Sequence, residues 1–363
     1  MKKSFGSCRL WGVGLLLLLL TGCRQAKTGA AQALPTPEAT ATPAPSPTAT
    51  VSPSPAPTDT PVPTATPCAG PVLELLGEAE ITLAASFTFE DPGCRAADEA
   101  GHALSENIRV EGEVIPYVPG TYTLTYTVAD EEGREASVTR TVTVEAVPVP
   151  DIVEPAPKTV YLTFDDGPCG NTGRLLDVLK KHDAKATFFV VGNKASPEFI
   201  KRAYEEGHSI GVHSYTHVYK DIYASEEAFF RDFLATEQVI YEQTGSYTRL
   251  FRFPGGSSNT CSMFNRGIIS RLAQHMQNMG FRYFDWNVSS GDCGEGATTD
   301  TVYKSVTGGI SSHADSFSIV LQHDIRGFSV AAVERILVWG EEHGFTFLPL
   351  TLDSPEIHSK IRN

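Results

Sequence analysis

The chain has 363 residues, 41% hydrophobic and 20% charged, with 29 basic against 43 acidic side chains and a formal net charge of −14. That length holds two or three domains, each able to bury a core. The acidic balance excludes a general binder of nucleic acid or anionic lipid, which needs clustered Lys and Arg. Apolar periodicity from about residue 70 onward excludes a wholly disordered chain.

Residues 1–22 read as an export signal. Lys2 and Lys3 precede an apolar run with six consecutive leucines, Leu15 to Leu20, too short to span a membrane. The run ends Leu20-Thr21-Gly22-Cys23, which resembles the bacterial lipobox, where the cysteine is acylated and becomes the first residue. The expectation is a lipoprotein held at the outer face of the cell membrane through lipid on Cys23 alone. An ordinary secretory signal with an incidental cysteine is the alternative. Residues 23–67 form a spacer: 11 prolines and 9 threonines lie between Pro35 and Pro67, leaving nothing to offset the entropy of packing. Proline-rich chain extends by ~3.1 Å per residue, so the spacer reaches on the order of 100 Å, far enough to enter a cell wall.

Residues 68–147 predict a small all-β module. Tyr122, Leu124, Tyr126 and Val128 alternate with threonines, the period of a strand with one buried face. Asp130-Glu131-Glu132-Gly133 then supplies a turn, and Val138 to Val144 a second strand, giving a hairpin. With Asp91-Pro92-Gly93 upstream, the segment resembles bacterial Ig-like surface modules, which implies a sandwich for spacing or glycan attachment. Prolines 148, 150, 155 and 157 mark a linker over 148–157.

From Lys158 the pattern changes to α/β. Strands are predicted at 159–164, 186–191, 208–212, 249–253, 281–286, 316–321 and 345–348, between helical stretches such as 171–182, 225–243 and 328–343. Such alternation predicts a parallel sheet, barrel or doubly wound, with reactive side chains at the C-terminal strand ends. The polar clusters fall there: Asp165-Asp166-Gly167-Pro168, His213 to His217, Arg252 to Gly256, Trp286 through Asp292, and Leu321-Gln322-His323. His213 and His217, four apart, would face one way on a single helical turn and share a metal. A carboxylate from another strand end would complete an open His-His-Asp set, the pattern of catalytic zinc. Adjacent strand residues point oppositely, so one of Asp165 and Asp166 would bind metal and the other face substrate.

These five clusters, in this order, resemble the motifs of NodB-type polysaccharide deacetylases, carbohydrate esterase family four, over residues 158–352. The resemblance implies a distorted (β/α) barrel that removes acetyl groups from glycans with a divalent metal, Zn²⁺ or another ion. By motif position, Asp166, His213 and His217 would hold the metal. Asp165 would be the general base, oriented by Arg252, and His323 the general acid, supported by Asp292. Gly255 would offer an oxyanion N–H, while Trp286 and Leu321 would line the acetyl pocket. Gly255 and Cys293 depart from the residues many relatives carry there, which bears on pocket shape. His182, His208, His275, His313 and His343 fit no motif.

The implied substrate is N-acetylglucosamine in peptidoglycan, on the strength of anchor and spacer; chitin oligomers or acetylxylan are alternatives for the same chemistry. A catalytically silent surface glycan-binding or adhesion lipoprotein is the alternative of another class. Among the cysteines, Cys68 with Cys94 and Cys261 with Cys293 are expected disulfide pairs, leaving Cys169 as a free thiol. Residues 353–363 are expected as a tail.

Overall fold

The computed structural model describes residues 70–363, which belong to one compact unit, Ala65–Asn363. The export signal, Cys23, the spacer and Cys68 lie outside the described residues. Among the described residues no helix is long and apolar enough to cross a membrane.

The first module is built from β1 (Val72–Leu75), β2 (Glu80–Ala84), β3 (Cys94–Ala97), β4 (Arg109–Glu111), β5 (Gly120–Ala129) and β6 (Glu135–Glu145). Strands β1 and β3 pair in one small sheet; the other has the order β2-β6-β5-β4. The threonine-alternating run forms β5, burying Leu124, Tyr126 and Val128 on one face. Its hairpin with β6 closes where the Asp130 carboxylate accepts the Arg134 N–H at 2.8 Å. Arg140, fully buried on β6, donates to Asp91, to the Tyr126 hydroxyl at 2.8 Å, and to the carbonyls of Leu76, Glu78 and Gly93. A buried guanidinium is tolerated only with its donors satisfied, so this node ties the two sheets together.

The second part alternates strand and helix: β7 (Thr159–Asp165), α1 (Gly170–Lys181), β8 (Ala186–Val191), α2 (Glu198–Glu205), β9 (Ser209–Ser214), α3 (Tyr219–Ile222) and α4 (Glu226–Thr244). It continues with β10 (Leu250–Phe251), α5 (Ile268–Asn278), β11 (Arg282–Tyr283), β12 (Val288–Ser289), α6 (Thr299–Ser312), β13 (Phe317–His323), α7 (Gly327–Glu342) and β14 (Thr346–Phe347). The strands form one parallel sheet in the order β11-β10-β9-β8-β7-β13-β12. Every residue of β7 and β8 is buried, as expected for central strands covered on both faces. The chain passes from β11 at one edge to β12 at the other without the two pairing, which leaves the barrel distorted and open. The last strand, β14, adds to the first residues of β7 below the start of β8.

Helix α4 starts at Ser225, whose hydroxyl accepts the Ala228 N–H, and stops at Gly245, where φ is +72°. The first module is packed on this helix and α5. Phe87 lies 5.4–5.8 Å from the rings of Phe230, Phe233 and Phe281, and Tyr117 stacks near Phe230 and His275. The Val147 N–H donates to the Asn278 carbonyl at 2.8 Å, and Pro150 and Val153 bond the barrel through Arg282 and Asp353. Ala85 and Val144 thereby join the barrel's own apolar cluster.

Candidate active site

Strand β7 delivers Asp165 at its last position, and the chain then turns through Asp166 with φ +74°. That left-handed residue, uncommon for a non-glycine, cancels the alternation expected of adjacent strand residues. Both carboxylates consequently face one centre: Asp165 Oδ2 and Asp166 Oδ1 lie 3.9 and 3.6 Å from His213 Nε2. His217 Nε2 lies 3.3 Å from the same Asp166 oxygen.

His213 and His217 do not share a helical turn as their spacing predicts. His213 is the penultimate residue of β9, and residues 215–218 form a tight loop with His217 at φ +57°. Asp232 on α4 holds this loop: its carboxylate accepts the Ser214 hydroxyl and Tyr215 N–H at 2.6 Å, and the Thr216 N–H at 2.9 Å. The two imidazoles still converge, their centroids 5.1 Å apart. His213 Nδ1–H donates to the Arg252 carbonyl at 2.9 Å, which turns the unprotonated Nε2 inward. Burial pushes the His213 imidazole further toward the neutral form.

Asp166 Oδ1 is buried and has no hydrogen-bond partner among the described residues, yet two imidazole nitrogens converge on it. An orphaned buried carboxylate oxygen is costly, and one oxygen with two imidazole nitrogens is a donor set suited to Zn²⁺ or a similar divalent ion. The residues present fit such an ion.

Arg252 is fully buried beside this centre. Nη1 donates to Asp165 Oδ1 at 2.9 Å and to Thr163 Oγ1 at 2.6 Å, while Nε and Nη2 donate to the carbonyls of Phe284 and Asp285. The flat guanidinium also lies over the rings of Phe189 and Trp286. With every direction occupied, it pins one oxygen of Asp165 and leaves the other toward the centre.

His323 ends β13 in direct register with Asp165 on β7, so the two groups stand on neighbouring strands at the same height. Its Nδ1–H donates to Asp292 Oδ1 at 2.9 Å; Asp292 Oδ2 accepts the His323 N–H at 2.8 Å and the Ser329 hydroxyl at 2.7 Å. Burial alone would lower the imidazole pKa, but the Asp292 hydrogen bond and the charges of Asp165, Asp292 and Asp166 outweigh it, raising it to about 9. These charges favour the imidazolium, whose Nε2–H is the proton not committed to Asp292. Asp292→Asn is expected to move the alkaline limb of the kcat/KM–pH profile down by about one unit or more, because activity is lost as pH rises through the acid's pKa and the anionic partner is gone. A limb that stays put would show that Asp292 does not sustain this charge.

The Pro254–Ser257 turn follows Arg252 beyond the end of β10. Asp285, fully buried, accepts the Ser257 N–H at 2.8 Å, the Ser257 hydroxyl, and the Ser359 N–H at 2.7 Å. Gly255 and Gly256 both have φ +77°, and a Cβ on Gly256 would collide with the Trp286 ring. Gly255 is exposed, and its N–H donates to no acceptor among the described residues. Trp286 and Leu321 are half-buried, Leu321 in register with Thr163 below His323.

Asp232, Asp285 and Ser329 were not foreseen, since each belongs to no motif and acts through residues distant in sequence; Thr163, which opens the first motif, was given no role. The segment expected as a tail instead runs back over this support. Ser359 bonds Asp285, His358 stacks 3.9 Å from Tyr283, and Asn363 Nδ2 donates to Ser262 Oγ at 2.9 Å. The expected Cys261–Cys293 disulfide is absent: both thiols are free and exposed. Cys293 Sγ lies against the His323 ring instead, 3.5 Å from Nδ1. Cys94 forms no disulfide among the described residues, its expected partner Cys68 lying outside them, and Cys169 is likewise unpaired there, as expected. The five histidines set aside bond elsewhere; His208 Nδ1, for example, accepts the Ala186 N–H in the core.

Residues 153–283 match the polysaccharide deacetylase family model, and residues 73–144 that of the bacterial surface protein Ig-like domain. A peptidoglycan-N-acetylglucosamine deacetylase of Bacillus cereus is 35% identical over 194 residues, 52% of this chain and 68% of that one. Peptidoglycan-N-acetylglucosamine deacetylase PgdA of Listeria monocytogenes is 31% identical over 59% of this chain, which spans only 43% of that protein. The catalytic domain of a peptidoglycan N-acetylglucosamine deacetylase from Eubacterium rectale is 46% identical, with a TM-score of 0.58 over 59% of this chain and 98% of that one. The chain belongs to the polysaccharide deacetylase family and is an enzyme of that family, preceded by a bacterial Ig-like domain.

Proposed function

We propose that this enzyme hydrolyses the N-acetyl group of N-acetylglucosamine in peptidoglycan, with a divalent ion, zinc first among them, held by Asp166, His213 and His217. One observation carries the reading: an orphaned carboxylate oxygen and two converging imidazole nitrogens lie beside an Arg-held carboxylate, Asp165, whose register partner on the next strand is the Asp292-bound His323. When bound, such an ion acidifies water toward neutral pH and polarises the acetyl carbonyl.

The protein's own groups supply the rest. Asp165, with one oxygen pinned by Arg252, takes the proton of the attacking water on its free oxygen. The Gly255 N–H donates to the oxyanion that develops at the carbonyl. His323 Nε2–H protonates the departing amine nitrogen, and Asp292 keeps that imidazole charged and oriented. Trp286 and Leu321 form apolar walls for the acetyl methyl.

The choice of peptidoglycan is supported by the names of the relatives and by the export signal, Cys23 lipidation and spacer expected from the sequence, which would suit an enzyme on the outer face of the membrane beneath the wall. A Bacillus subtilis relative, 36% identical over 36% of this chain, is named for N-acetylmuramic acid, so the sugar needs direct assignment. The full chain, incubated with peptidoglycan and with chitin oligomers, should release acetate from peptidoglycan, leaving glucosamine in the digest. Chelation should stop the release and added zinc restore it. No acetate from either glycan with zinc restored would overturn the reading in favour of a silent glycan-binding barrel; new muramic acid amines would reassign the sugar.

A further inference from the structure

A second cluster of metal-ligand atoms lies beside the first. Asp292, Cys293 and His323 each offer one ligand atom, all within 4.8 Å of one another. Cys293 Sγ lies against the His323 ring, 3.5 Å from Nδ1 and 3.9 Å from Nε2, and Asp292 already accepts the Nδ1–H of the same ring. That carboxylate–histidine pairing is the arrangement that prepares an imidazole to ligate through its far nitrogen. The thiol is exposed, so a cation has a path to it.

Thiolate with imidazole selects soft cations over hard ones. We propose that Cys293 and His323, with Asp292 behind the ring, form an inhibitory site for a thiophilic divalent cation, occupied by cadmium or by zinc in excess of the first ion. Binding one dication releases two protons to solvent, one from the Cys293 thiol and one from His323 Nε2. The cation thereby replaces the proton that the leaving nitrogen needs. Burial, together with Asp292, holds the thiol pKa up, so sulfur ligates only when a cation displaces its proton. The inhibitory consequence rests on His323 acting as the general acid; the binding site does not.

The test titrates cadmium into the zinc-loaded full chain and into Cys293→Ala. Both variants keep all other cysteines, so the difference in sulfur-to-cadmium charge-transfer absorption reports Cys293 alone. The expected result is a difference band that saturates as acetate release is lost. The cadmium needed for half-inhibition, relative to each variant's own rate, should rise by about tenfold or more in Cys293→Ala. His323→Gln should weaken the band's titration likewise. Equal inhibition of both proteins, or no difference band, overturns the proposal, since cadmium would then act at Asp166, His213 and His217. A band without any deacetylation to inhibit in the untreated protein would leave the site standing and defeat the hydrolytic reading instead.

Discussion

His323→Ala is expected to lower acetate release from an N-acetyl glycan by about 10²- to 10⁴-fold, the usual worth of a positioned proton donor. Release from an O-acetyl ester should fall far less. An amine cannot leave as an anion, whereas an alcohol departs with much less help from an acid. His323 is prepared for proton donation by its surroundings. Asp292 binds Nδ1–H and the ring's backbone N–H together, and the pKa near 9 keeps the donor charged at neutral pH. A bound dication offsets the charges of Asp165 and Asp166, so the working value lies below that of the metal-free site. Parallel kinetics on matched N-acetyl and O-acetyl substrates make the check. Equal losses on the two would point to a structural imidazole.

The neighbouring aspartates should separate cleanly. Asp166→Ala is expected to lose the bound ion and to reduce acetate release by about a thousandfold or more, because water without a Lewis acid is a poor nucleophile at neutral pH. Asp165→Asn should keep the ion and still fall by about 10²- to 10⁴-fold, having lost the base. The difference follows from Arg252, which occupies one oxygen of Asp165 and none of Asp166. Metal content measured beside activity distinguishes the two losses. Retention of metal in Asp166→Ala at the native level would contradict the assignment.

Much of this arrangement was legible because the barrel puts its chemistry at strand ends. The buried runs of β7, β8 and β13 could be read from unbroken apolar and β-branched stretches, and α1, α4 and α7 from their periodicity. The two-residue strands β10, β11, β12 and β14 carry too little pattern to delimit, and the strand expected over 281–286 bends across the barrel's open seam. Spacing alone suggested a helical turn for His213 and His217. The positive φ of His217 and the Asp232 carboxylate produce a tight loop with the same convergence. Asp285 could not be found as the support of the Gly255 turn, because its partners come from residues 257 and 359. Nor did the alternation in β5 hint that Phe87 and Tyr117 would bury against α4 and α5.

The central claim is that Asp166, His213 and His217 converge on one divalent ion. Crystals grown with zinc, and diffraction recorded on both sides of its absorption edge, test it directly. The expected result is a full-occupancy anomalous peak within bonding distance of Asp166 Oδ1 and both imidazole Nε2 atoms. An empty position among those three groups, with zinc bound elsewhere, would contradict it.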